Sequence, residues 1–199
     1  MSSEKGRSDS TRGASGTDPR VLRAVAHPVR LDLLYLLRRE GPLTASRCAE
    51  FLDLTPKVCS YHLNLLGKYG LIEETGEGKG RARPWRLRTA GLSYVHQPGE
   101  SREAASAADE FARTMLARDA QQVEAFIEGR RTLPRSWRNV ATMSSNPLRL
   151  TSEQLRALGS ELIAVLDRYS QLSESTSAGA HPVHLAMYAV PVDIADLAP

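Results

Sequence analysis

Four stretches in the first seventy residues repeat apolar positions at three- and four-residue spacing, and each opens on helix-starting chemistry. Asp18-Pro19 supplies a cap and a first-turn proline for a helix through Ala26. Pro28 restarts the chain, and Val29, Leu31, Leu33, Leu34, Leu36 and Leu37 cover so much of the segment to Arg39 that this helix must be central to a core. Gly41-Pro42 ends it. Thr44 caps a shorter helix to Phe51 with Ala45, Cys48, Ala49 and Leu52 on its inner side. After the turn Leu52-Asp53-Leu54, Thr55 caps and Pro56 begins a helix to Tyr69. In that last helix Cys59, His62, Leu63, Leu65, Leu66 and Tyr69 form one broad apolar side. Lys57, Ser60, Tyr61 and Asn64 form a second side rich in donors and acceptors.

Two short helices joined by about three residues have the spacing of a helix-turn-helix, whose second helix lies in the DNA major groove. Behind them, Leu71 to Glu74 and Ala82 to Leu87 flank a Gly-rich charged tip, Thr75 to Arg81, which predicts a β-hairpin. Helix, turn, helix and hairpin together describe a winged helix. Lys79, Arg81, Arg83, Arg86 and Arg88 place five cations in ten residues of that hairpin, suited to phosphates or a minor groove.

Charge sharpens this picture. The chain's net charge is only +3, but residues 18–90 hold thirteen cations against eight anions (+5), and residues 91–199 hold ten against thirteen (−3). A basic half joined to a mildly acidic one suits a nucleic-acid-binding head with a second region of different purpose. Residues 1–17 are Ser, Gly and charge, too poor in apolar surface to offset their ordering entropy, so a disordered tail is expected there. No window approaches a membrane span and no secretory signal is visible, so the expected location is the cytoplasm.

The segment from Val21 to Glu73 resembles the winged helix of ArsR-type bacterial transcriptional regulators. The matching features are His27-Pro28-Val29-Arg30 before a leucine-rich helix, Gly41-Pro42-Leu43-Thr44, and Thr55 to Leu66. The last is similar to the family's Ser/Thr-x-x-x-Val-Ser-x-His-Leu-x-x-Leu recognition helix, with Cys59 in place of Val. The resemblance implies a homodimeric DNA-binding repressor or activator. Lys57, Ser60, Tyr61 and Asn64 would then lie nearest the bases, and Thr55, His62 and the wing nearest the backbone. With Thr44, Pro56, Lys68, Lys79, Arg81 and Arg83, these residues make up the expected DNA-binding set.

The resemblance also bears on metals. Metal-sensing relatives carry cysteines in the helix before the turn, or carboxylate and His ligands in a C-terminal helix. Here the first positions read Thr44 and Ser46, and the helix after Ser101 contains no His, so no metal or other cofactor is expected. Cys48 and Cys59 fall on inner sides and read as small buried hydrophobes.

The second half is less explicit. Residues 91–100, with Pro98-Gly99, read as a linker. Ser101 caps a long helix to about Arg131 along Ala104, Ala108, Phe111, Met115, Val123, Phe126 and Ile127, with Asp119 and Gln122 as polar interruptions. Such a helix is expected to be a dimer contact, packed against its mate or against the helix at residues 24–39, the alternative being an intrachain core helix. Pro134 breaks it. Trp137 to Met143 alternates as a strand, Pro147 to Leu150 reads as extended, and Thr151-Ser152-Glu153-Gln154 is a capping box. That box opens an amphipathic helix with Leu155, Leu158, Leu162, Val165, Leu166 and Tyr169 on one face. Pro182 to Val192 reads as a final strand. Strand, helix, strand predicts a small α/β layer able to build a dimer or hold a small-molecule effector.

The expected fold class is therefore mainly α with small β, a winged helix-turn-helix over residues 18–90 with a C-terminal helical or α/β extension over residues 101–199. No phosphate loop, nucleophile elbow or zinc-protease motif is present, so an enzyme is not expected. The expected function is sequence-specific binding of double-stranded DNA by a homodimeric regulator. The alternative is a winged-helix protein-interaction module that does not bind DNA.

Overall fold

The computed structural model describes residues 14–15, 18–77, 83–88, 92–93, 101–174 and 179–192. The chain divides into two compact units, Met1–Val123 and Glu124–Pro199.

In the first unit a two-residue strand β1 (Ala14–Ser15) precedes four helices: α1 (Pro19–Val25), α2 (Pro28–Glu40), α3 (Ala45–Leu52) and α4 (Pro56–Lys68). Three of these helices start on a side-chain cap, while α2 starts at Pro28 behind His27, which makes no capping bond. Asp18 accepts from Arg20 N at 2.8 Å, Thr44 Oγ1 from Arg47 N and Thr55 Oγ1 from Val58 N, both at 3.3 Å. Asp53, in the left-handed region at φ 52°, closes α3, and its short polar side chain makes that conformation affordable. The three-residue turn into α4 follows from it.

Strands β2 (Ile72–Glu74) and β3 (Trp85–Leu87) pair antiparallel in the register Ile72 to Leu87, Glu73 to Arg86 and Glu74 to Trp85. Leu43 bridges the outer edge of Trp85 through two backbone hydrogen bonds of 3.1 and 2.8 Å. The base of the expected wing is thus present; its tip, residues 78–82, lies outside the described residues. A further strand β4 (Leu92–Ser93) pairs parallel with β1. The expected tail and linker otherwise lie outside the described residues.

One core unites this unit. Leu31, Leu33, Leu34, Leu36 and Leu37 of α2 are all buried, and Cys48, Cys59, Leu63, Leu66, Leu71 and Ile72 close around them. Helix α5 (Arg102–Gly129), capped by Ser101 Oγ accepting from Ala104 N at 3.2 Å, adds Ala107, Ala108 and Phe111 to the same core. Its side chains are tied to α1 and α2 by Arg23–Glu103 at 2.6 Å and by Asp32–Arg118 at 3.0 Å, where the Arg118 guanidinium also stacks 3.6 Å over the Tyr35 ring. The first half of α5 is therefore part of its own chain's core, the alternative to the expected dimer contact.

Asp119 corrects the sequence reading. It looked like a polar interruption of the helix's apolar side, but it is buried, near Tyr35. Burial, and then the Asp119 charge, raise the Tyr35 hydroxyl above its usual pKa.

In the second unit α6 (Arg135–Arg138) is a single turn begun by Pro134, and α7 (Ser152–Glu174) is a long helix. The capping box is formed in full: Thr151 N donates to Gln154 Oε1 at 2.8 Å and Gln154 N donates to Thr151 Oγ1 at 3.2 Å. The expected strands do not form. Residues 137–143 begin in α6 and continue without regular structure, and residues 147–150 and 182–192 form no strand. Alternation alone specifies a strand only where a neighbouring edge receives its N–H and C=O groups, and none is supplied here among the described residues. The expected α/β layer is replaced by helix and irregular chain.

Candidate nucleic-acid interface

Helix α4 is held from below and offered from above. Cys59, Leu63 and Leu66 are buried in the core, and Leu65 and Tyr69 are half-buried. On the opposite side Lys57, Tyr61, Asn64 and Lys68, spaced four, three and four residues apart, are exposed along one stripe about 16 Å long. Tyr61 reaches 65 % exposure. Pro56 and Thr55 are exposed at the helix start, Ser60 is half-buried at the edge of the stripe, and Thr44 is half-buried at the start of α3.

Two of these side chains are already engaged within the helix. The Asn64 amide nitrogen donates to Ser60 O at 2.7 Å and approaches Ser60 Oγ at 3.3 Å. A base edge would have to draw it off that carbonyl. The Lys57 and Lys68 ammonium groups have no carboxylate within ion-pair distance among the described residues, so they remain available to an anion.

His62 lies on the apolar side that its spacing gave it, not at the exposed backbone position that the resemblance implied. It is 9 % exposed, its ring lies 4.8 Å from that of His27 and edge-on to Tyr61 at 5.1 Å, and its Nδ1 is enclosed without a hydrogen-bond partner. The family motif suggested a phosphate contact. One residue before Leu63 and three after Cys59, however, the side chain turns to the apolar side of the helix. It locks α4 onto the start of α2. Burial holds both imidazoles below their ordinary pKa. The Arg30 charge adds to this at His27, and His27 and Arg30 add to it at His62.

The wing is also less freely basic than its composition. Arg83 pairs with Glu74 at 3.1 Å, and Arg86 and Arg88 both pair with Glu73, at 2.7 and 3.3 Å. The cross-strand register causes this by setting Glu73 opposite Arg86. The cations by themselves gave no sign of the glutamates on the neighbouring strand. Exposed pairs of this kind hold weakly and exchange readily for phosphates, so they moderate the charge without removing it. Lys79 and Arg81 lie outside the described residues.

Two features had no clear sequence signal. Phe51, 42 % exposed, carries the Arg39 and Arg47 guanidinium groups over its ring at 5.8 and 5.2 Å. Trp85 packs into a notch left by Gly67. Cys48 and Cys59 are buried as expected, and burial, with the neighbouring Cys59 adding to it, pushes the Cys48 thiol up to about 11. Among the described residues no three His, Cys, Asp or Glu side chains gather as metal ligands. No described helix is long and apolar enough to cross a membrane. In the second unit an open cleft of about 360 Å³ is lined by Phe126, Arg130, Arg131, Arg138, Ala141 and Met143.

The chain resembles known proteins as follows. A family model described as a helix-turn-helix domain matches residues 25–75. Among solved structures, a MarR family transcription regulator is 14 % identical with a TM-score of 0.32, over 80 % of this chain and 82 % of that one. The YusO protein of Bacillus subtilis is 18 % identical with a TM-score of 0.31, over 80 % and 86 %. A Mycobacterium tuberculosis MarR family protein in complex with salicylic acid is 18 % identical with a TM-score of 0.29, over 74 % and 85 %. Likenesses of this extent assign no activity. No curated protein matches the chain.

Proposed function

We propose that this protein is a cytoplasmic, sequence-specific DNA-binding transcriptional regulator of ArsR-like type, acting as a homodimer. One observation carries the reading: the second helix of a helix-turn-helix presents Lys57, Tyr61, Asn64 and Lys68 as one exposed stripe while its other side is sealed into the core. A stripe about 16 Å long on a rigid helix fits a major groove about 12 Å wide. Lys57 and Asn64 supply a cation and an amide for base edges, Tyr61 an apolar face with a hydroxyl, and Lys68 a charge for phosphate. Thr44, Thr55 and Pro56 bring the starts of both helices, with their free N–H groups, to the backbone. Lys79, Arg81 and Arg83 of the wing extend the contact to flanking phosphates. His62 takes no direct part and positions α4. In this reading the cleft beside Arg130, Arg131 and Arg138 is the place for an effector, and its three guanidinium groups around Phe126 and Met143 suit an anion with an apolar body.

The test is selection from random duplexes at two salt concentrations. Enrichment of a two-fold-related site, with affinity falling steeply as salt rises, is the expected result. Absence of binding at low salt would leave the exposed stripe as a docking face for a protein, the reading of a winged helix used as an interaction module.

A further inference from the structure

The second unit lacks an interior. Beyond Asp119 no described residue is buried, although Val140, Met143, Leu148, Ile163, Val183 and Val192 are among the large apolar side chains that stand more than half exposed there. A unit of this size gains little against its ordering entropy while such surface stays in water, so the surface is open to a partner.

Helix α7 indicates that partner. Leu155, Leu158, Leu162, Val165, Tyr169 and Leu172 follow one another at intervals of three, four, three, four and three residues, the a and d positions of a coiled-coil seam about 25 Å long. Toward its C-terminal end the seam is open: Val165 is 42 %, Tyr169 61 % and Leu172 59 % exposed. We infer that α7 pairs antiparallel with α7 of a second copy of this chain, forming the dimer contact of the second unit. This rests on the homodimer in the reading above and locates its interface.

Orientation follows from charge. In a two-fold antiparallel pair Leu162 meets the partner's Val165, Leu158 meets the partner's Tyr169, and Leu155 meets the partner's Leu172. In the same register Glu161 flanks the seam across from the partner's Arg168, twice by symmetry. A parallel pair would set Glu161 beside the partner's Leu166 and leave the charge unanswered. Both Glu161 and Arg168 are exposed, with no ion pair among the described residues. Helix α5 is less available for this role, since its first half is already spent on the core of its own chain.

Sedimentation equilibrium of the full chain at low salt, without DNA, tests this. The wild type is expected at twice 21.8 kDa. Glu161→Arg alone and Arg168→Glu alone should each raise the dimer dissociation constant roughly tenfold or more, because each turns two attractions into two repulsions. Circular dichroism should show helix content unchanged in both variants. Mixing the two single variants should restore a dimer, since each then meets its opposite. A monomeric wild type, single variants that dimerise as tightly as the wild type, or a mixture that stays dissociated would each overturn the pairing. Because the readout is mass without DNA, its failure leaves DNA binding untouched, and a dimer that ignores DNA would sink the functional reading alone.

Discussion

A Cβ placed on Gly67 would lie 2.6 Å from Trp85 Cζ3, closer than two carbons can approach. The last turn of α4 and the second strand of the wing therefore meet through a missing side chain. Trp85 cannot readily yield, because its backbone is paired on one side with Glu74 and on the other with Leu43. The wing is thereby fixed to the helix that the functional reading places in the groove.

Gly67→Ala is expected to destabilise the protein. Within a helix alanine gains about 0.5–1 kcal/mol over glycine, but overpacking costs about 1–3 kcal/mol and should win. Urea denaturation gives the sign, and pairing the change with Trp85→Leu should recover most of the loss. A Gly67→Ala protein more stable than the wild type would show that the indole moves freely.

The two sides of α4 should separate stability from binding. Lys57→Ala and Tyr61→Ala are expected to leave the melting temperature nearly unchanged, since both side chains are exposed, and to weaken operator binding, by about 1–3 kcal/mol where a base contact is lost. Leu63→Ala should instead cost about 2–5 kcal/mol of stability, as a deletion from a fully buried position. Titrations with a selected duplex beside thermal melts measure both.

The His27–His62 contact predicts a pH dependence. Both imidazoles have folded pKa values below the ordinary 6.5, so below that pH the unfolded chain binds protons that the folded chain resists. Stability from this pair is present above pH 6.5 and is lost as pH falls from there toward the folded values. Arg30 faces both rings, with Tyr61, Tyr69 and Glu110 around it. Melts from pH 7.5 to 5.5 should show a smaller decline in His62→Gln than in the wild type; an equal decline would place the dependence elsewhere.

Both cysteines should resist thiol reagents while the protein is folded. Burial raises each thiol, Cys48 to about 11, so little thiolate exists at pH 8 and little of it is accessible. Labelling with a thiol-reactive chromophore should be slow in native buffer and reach two equivalents in denaturant. Rapid native labelling would indicate that α3 and α4 separate readily.

The sequence by itself determined the helices of the first unit, because cap, proline and three-four periodicity are local and their chemistry acts within one turn. Thr44 and Thr55 cap where their spacing says they should, as Thr151 does in the second unit, and the leucines that crowd α2 are buried. What only tertiary structure decided were relations between distant residues. His62 met the ring of His27, Glu73 and Glu74 met the wing arginines through strand register, and Asp119 was buried near Tyr35. The expected strands at residues 137–143 and 182–192 failed for the same reason. Alternation shows that a segment suits a sheet, but a sheet needs an edge to join, and that edge must come from elsewhere in the fold.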